Sequence, residues 1–341
     1  MNSPLLATPG AVPADGLDAG VAAHYGDPVR EQRAMARTAG LVDRSHRGVV
    51  RVTGPDRLSW LHSLTSQHVE ALPAGQTAQA LILDPNGRVE HHLTLTDDGT
   101  SAWIHVEPGT ATALVEFLDS MRFMLRVEVA DVTGDYAVLT VAGPDAAEAA
   151  RPLAEAAAGQ TEGAVGPDYL VPREQLTGLA EAAVAGGAQL AGIWAYEAFR
   201  IAAHQPRYGL DTDHKTIPHE VGWIESAVHL SKGCYRGQET VARVHNLGHP
   251  PRRLVFLHLD GSVDRLPAHG DELALDGKAV GFVGSAARHF ELGPIGLGLI
   301  RRTVPVDATL EAGEVAASQE VVVPPDAGAN VTIDRSAFAR R

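Results

Sequence analysis

The stretch LSKGCYRGQETVARVHNLG, residues 230–248, gathers the side chains best placed to do chemistry. It holds Cys234, the only cysteine of the chain, and Lys232, one of three lysines with Lys215 and Lys278. A thiol becomes a nucleophile or a metal ligand when positive charge or backbone N–H groups stabilise its thiolate. Lys232 and Arg236 stand two positions to either side of Cys234, and in an extended segment those positions share its face. Gly233 and Gly237 permit backbone turns closed to other residues, while Gln238 and Glu239 offer hydrogen-bonding groups to hold a loop. No histidine lies within the motif, so it is not a nucleophile–base pair. The pattern reads as an activated-thiol loop; the competing reading is a small buried hydrophobe.

A second group is His91, His92 and His105. Adjacent residues of a strand point to opposite faces, so His91 and His92 cannot grip one metal from the same face. With no acid or thiol at ligand spacing, a metal site is not indicated. One partly buried and one exposed histidine is the simpler expectation, with a general-base role open to either because imidazole titrates near neutrality.

These residues need a scaffold, and 341 residues with 45% hydrophobic content allow two or three domains. The net charge of −14 repels phosphate backbones and disfavours general nucleic-acid binding. No apolar run reaches the roughly 18–20 residues that cross a bilayer. The N-terminus lacks the basic start and apolar stretch of a signal peptide, and a lone cysteine fits a reducing compartment, so a cytoplasmic location is expected. Residues 1–20, rich in Pro, Ala, Gly and Asp, read as a disordered leader. An N-terminal α+β domain is expected over 21–135 and a second over 136–249, the latter carrying the cysteine loop. Each contains a strand, a Gly-Pro-Asp turn and a helix: GVVRVTGPDRLSWLHSL and YAVLTVAGPDAAEAARPL. Proline suits the first helical position and the acid suits the positive helix end, and the repeat suggests a duplicated unit. Short alternating runs between Gly and Asp turns over 250–341 predict a small antiparallel β-barrel.

Several segments resemble the T-protein (aminomethyltransferase) superfamily of the glycine cleavage system: HYGDPVREQRAMARTAGLVDRSH, GPDAAEAA, EAFRIAAHQPRYG and VGSAARHFELGPIGLGLIRR. Within it, KGCYRGQE (Lys232, Gly233, Cys234, Tyr235, Arg236, Gly237, Gln238, Glu239) is similar to the signature of the YgfZ branch, the bacterial counterpart of mitochondrial iron–sulfur assembly factors. The resemblance implies three domains around a central opening that binds tetrahydrofolate or a derivative, and iron–sulfur assembly proteins or client enzymes as partners. It also implies a pterin-reading acid at Asp168 in GPDYLVP, with Tyr169 beside it, because a carboxylate can accept from the pterin's paired N–H donors. Arg200 is expected to meet the ligand or fix that acid. The transferases carry an Asp pair where this chain has His91 and His92, and neutral imidazole cannot supply a fixed negative charge. Aminomethyl transfer is therefore not expected. Iron–sulfur clusters take about four protein ligands, so one cysteine cannot hold one alone and Cys234 is read as a redox or shared-ligand thiol. A folate-dependent one-carbon transferase and a non-catalytic docking module are the alternatives.

Overall fold

In GVVRVT, Val50 and Val52 point one way and Val49 the other, and all three are buried. The strand Gly48–Thr53 is therefore covered on both faces, and it sits within a five-stranded sheet. The computed structural model describes residues 1–330. Its first sheet runs Thr77–Leu83, Val89–Asp97, Ser101–Val106, Gly48–Thr53, Glu128–Asp131 and is antiparallel throughout. Helices Arg57–Leu64 and Ala111–Ser120 close one face, burying Val50, Val52, Leu61, Leu114 and Leu118 in a common core. Each such side chain contributes about 1.5–3 kcal/mol.

The second sheet runs Gly159–Glu162, Pro167–Pro172, Tyr136–Ala142, Gly40–Asp43, Gln189–Ala191, with only the last pair parallel. Both Gly-Pro-Asp turns follow a strand and precede a helix, with Gly54 at φ +106 and Gly143 at φ +125. The acid does not cap its helix as expected. Asp56 instead binds Arg126, whose Nη2 lies 2.8 Å away. The barrel closes in the order Arg252–Leu259, Gly293–Arg301, Lys278–His289, Glu272–Leu275, Thr309–Ala312, Val315–Val321.

Two expectations need correction. Residues 1–20 are not a loose leader. Pro4–Ala7 and Gly16–Asp18 are 3-10 turns, Val12–Pro13 pairs with Ala22–His24, and Leu5 is buried in the second core. Such a segment has no helix or strand period to read, because short turns and point contacts hold it. The boundary at 135 is also not a clean division, since Gly40–Asp43 lies inside the second sheet between Tyr136–Ala142 and Gln189–Ala191. The end of the expected barrel range, 331–341, lies outside the described residues. No helix among the described residues is long and apolar enough to cross a membrane. A further core joins the three units, with Leu81 and Val89 from the first sheet, Trp223 and Tyr235 from the connecting region, and Phe256 and Leu297 from the barrel.

Candidate functional site

A helix leaves its last carbonyls without intrahelical partners, and Arg57–Leu64 ends beside the cysteine loop. The Lys232 ammonium donates there to the carbonyls of His62, of Thr65 at 2.5 Å and of Gln67 at 3.2 Å. An ammonium has three N–H groups, so all three are spent. The cation expected beside the sulfur is committed to a helix end instead. Lys232 is buried, which pushes its pKa down to about 8 against an upward pull from Glu70.

The rest of the motif also holds the loop in place. Tyr235 is buried in the core that joins the three units. Arg236 pairs with Glu90 at 2.8 Å and lies over the Phe117 ring. Gly237, at φ +82, begins the helix Gln238–Leu247, and a Cβ on it would lie 2.6 Å from the Asp84 carbonyl oxygen. Gly87 opposite is equally constrained, since its Cβ would meet Thr240 Cβ at 2.9 Å. Only glycine at both positions lets the loop and the Asp84–Gly87 turn meet backbone to backbone. Gln238 Nε2 donates to the Lys232 carbonyl at 3.2 Å. Glu239 lies in the first helical turn, where negative charge is favoured. Gly233 has open space around it, and Cys234 is an exposed free thiol.

Sequence reasoning missed the histidines beside this loop. The rings of His62 and His68 are 4.7 Å apart and those of His68 and His229 are 5.3 Å apart. Burial lowers the pKa of His62, aided by Lys232 and His68. Their separation in sequence left no spacing to read. Among the described residues no cluster of His, Cys, Asp or Glu has metal-holding geometry.

The expected ligand acid faces a central cavity of about 50 Å³ between the two sheets. Asp168 is buried, with Arg44 Nη1 at 2.7 and 2.8 Å from its two oxygens and the Thr140 hydroxyl donating at 2.5 Å. His105 Nε2 lies 3.5 Å from the second oxygen. An ionised carboxylate offers about four acceptor sites; Oδ1 receives Arg44 and Thr140, whereas Oδ2 receives only Arg44. Gly163 seals the other side, where a Cβ would lie 2.8 Å from both oxygens. Tyr169, adjacent on the strand, points away into the second core.

His91 and His92 diverge as strand geometry requires. His91 lies near Phe117 on the helix side, while His92 stacks on Trp223 with centroids 4.4 Å apart and has Nε2 3.1 Å from Gln79 Oε1. Both are half-buried, so neither is the exposed histidine of the simpler expectation. Burial holds each down to about 4. Arg47 Nε donates to His105 Nδ1 at 3.0 Å, which places the ring proton on Nε2, facing Thr161 Oγ1 at 3.0 Å. Burial first, then Arg47 and Arg44, holds His105 well below its ordinary pKa. Its lone pair is already used, so it is not a poised base.

Arg200 fixes acids other than Asp168. It binds Glu197 at 2.6 Å, Asp211 at 2.9 Å and the Ser285 hydroxyl at 2.7 Å. Arg207 continues the network to Glu107, Glu197 and Asp18, each at 2.9 Å, and Arg47 reaches Glu107 at 2.7 Å. Replacing a whole buried ion pair by apolar groups is often neutral, but removing one partner costs about 3–5 kcal/mol. The network therefore locks the N-terminal segment, both sheets and the barrel around one centre. A cavity of about 50 Å³ holds a water or two, whereas small-molecule pockets span roughly 300–1,000 Å³.

The family model described as the GCVT N-terminal domain matches residues 19–164. A chloroplastic protein of Arabidopsis thaliana, named as a transferase, is 29% identical over 306 residues, covering 80% of this chain and 68% of its own length. The aminomethyltransferase of Symbiobacterium thermophilum is 28% identical over 294 residues, with 76% and 77% covered. The crystal structure of glycine cleavage system aminomethyltransferase T from Bartonella henselae shares the fold, with a TM-score of 0.80 at 19% identity over 94% of this chain and 96% of that one. The domain match is to residues 19–164, and the described chain shares the fold of the Bartonella henselae aminomethyltransferase.

Proposed function

We propose that this chain is a YgfZ-like accessory protein that supports assembly or repair of iron–sulfur enzymes, with Cys234 as its working group and tetrahydrofolate or a derivative as its ligand. One observation carries the reading. Lys232, Tyr235, Arg236, Gly237 and Gln238 are spent on fixing the loop to three separate parts of the protein, while the Cys234 thiol stays exposed at its tip. A loop held this rigidly, with one thiol outward, suits presenting a single sulfur ligand to a partner that supplies the others. The central cavity argues against aminomethyl transfer, because its carboxylates are committed to arginines and its histidines are held neutral.

The test is genetic and biochemical. In a strain lacking the gene, iron–sulfur enzyme activities are measured after complementation with wild type or Cys234→Ala. Rescue by wild type alone is expected. Equal rescue by both would remove the thiol from the mechanism and leave a docking module. The names of the relatives favour one second reading, a folate-dependent one-carbon transferase. Steady formation of methylene-tetrahydrofolate from an aminomethyl donor would establish it instead.

A further inference from the structure

A second cavity, of about 510 Å³, opens on the His91 side of strand Val89–Asp97, whereas His92 faces the central one. Its volume falls in the range of small-molecule pockets. One wall is the segment 84–91, another is the start of helix Ala111–Ser120, and Tyr208 and His214 complete it. The cysteine loop adjoins the first wall twice. Gly237 meets the Asp84–Gly87 turn, and Arg236 pairs with Glu90.

The donors on these walls are unspent, and the acids are not. Arg88 is half-buried, yet among the described residues only its backbone N–H donates, to Asp84 Oδ1 at 2.8 Å. Its guanidinium, with five N–H donors, has no partner there. The half-buried Tyr208 hydroxyl and the His214 ring likewise bond no described residue. His91 Nδ1 is buried without a partner, and the ring, neutral at pH 7, carries one N–H. Thr110 spends its hydroxyl on the Glu107 carbonyl at 2.8 Å and gives its helix no side-chain cap. Gly109, Thr110 and Ala113 line the cavity, so the positive end of that helix adds to the side chains. Asp84, by contrast, is committed to its own turn, accepting from the N–H groups of Asn86 and Arg88 and from Asn86 Nδ2. The charge of Glu90 is answered by Arg236 at 2.8 Å.

We propose that this cavity binds the phosphate group of a small phosphorylated molecule, with Arg88 as its principal contact and Tyr208 and His91 as neutral donors. A guanidinium fork matches two phosphate oxygens at once. A lone cation without an acid is what a bound anion completes, because an arginine kept half out of water for packing alone would find an internal carboxylate, as Arg44, Arg47, Arg200 and Arg207 do. The volume leaves room for an organic group beside the phosphate. This site goes beyond the iron–sulfur reading and stands without it. The Glu90–Arg236 pair puts the bound molecule next to the loop that presents Cys234.

The test is calorimetric titration of the full chain at fixed ionic strength with phenyl phosphate, inorganic phosphate and benzoate. Phenyl phosphate is expected to bind most tightly and benzoate least. Arg88→Gln should weaken phenyl phosphate about tenfold and Tyr208→Phe about fivefold. The urea midpoint of Arg88→Gln should stay at the wild-type value, since that side chain bonds nothing else among the described residues. Arg30→Gln removes an exposed arginine elsewhere on the surface and should leave every affinity unchanged. Equal weakening by Arg30→Gln and Arg88→Gln would reduce the binding to general charge attraction and overturn the site. Benzoate binding as tightly as phenyl phosphate would overturn the phosphate assignment, and inorganic phosphate doing so would overturn the organic part. No binding of phenyl phosphate up to about 10 mM would sink the proposal, whatever Cys234→Ala does to iron–sulfur enzymes.

Discussion

Lys232→Met separates two jobs that a lysine beside a cysteine can do. The substitution keeps the apolar stem and removes the ammonium. Three carbonyls, of His62, Thr65 and Gln67, then lose their donor at the end of Arg57–Leu64. Hydrogen bonds to a charged group contribute about 1.5–3 kcal/mol each, but burying the ammonium takes back part of that sum. The fall of the Lys232 pKa to about 8 marks that cost. A net loss of about 2–4 kcal/mol is expected, seen as a lower urea midpoint with an unchanged slope. The companion measurement is the rate at which a disulfide reagent attacks Cys234 in the folded protein across the neutral pH range. If Lys232 stabilised the thiolate, its removal would raise the thiol pKa and slow the reaction. The helix-end contacts predict an almost unchanged rate. Undiminished stability together with about tenfold slower reaction would refute the reasoning.

Three further outcomes follow from buried groups. Burial alone would raise the pKa of Asp18, but His46 and Arg207 outweigh it and hold it down to about 2 from 3.8. That stability is fully present above the unfolded value and is lost as pH falls from about 4 to about 2. Asp18→Asn should therefore cost about 2 kcal/mol at pH 7 and little at pH 2, by urea unfolding at both. His219 is buried with both ring nitrogens lacking a partner among the described residues, and burial holds it down to about 4. The unfolded chain protonates first, so this residue's contribution is lost as pH falls from 6.5 through about 4. His219→Leu should add about 1–3 kcal/mol at neutral pH and flatten the acid slope, and a lower melting temperature would contradict that. Gly237→Ala places a Cβ against the Asp84 carbonyl in a left-handed conformation. It should cost about 2–3 kcal/mol and expose residues 230–237 to faster proteolysis.

Local rules made part of this architecture readable. Alternation in GVVRVT, the two Gly-Pro-Asp turns and the short runs after Pro250 gave strands, turns and a barrel where they occur. KGCYRGQE was legible as a motif because its residues are contiguous. The assignments that shifted depend on partners far along the chain. Lys232 meets carbonyls 165 to 170 residues away, and Arg44 finds Asp168 at a separation of 124. No spacing rule reports such a contact. A carboxylate available to a ligand and one already consumed by an internal arginine look alike in sequence. The N-terminal segment escaped notice for a different reason, since 3-10 turns and a two-residue strand leave no period.

The position of Gly40–Asp43 also bears on synthesis. Its neighbours in the sheet are Tyr136–Ala142 and Gln189–Ala191, so Gly40 pairs with Ala142 and with Gln189. Translation adds roughly 5–20 residues each second. The strand must therefore wait about 5–20 s for its first partner and a further few seconds for its second. Through that interval GLVD, buried at every residue in the finished protein, stands with two unpaired edges. Such edges invite pairing with other chains. The nascent chain is thus most exposed to misassembly, and most in need of a chaperone, before the second sheet has been made.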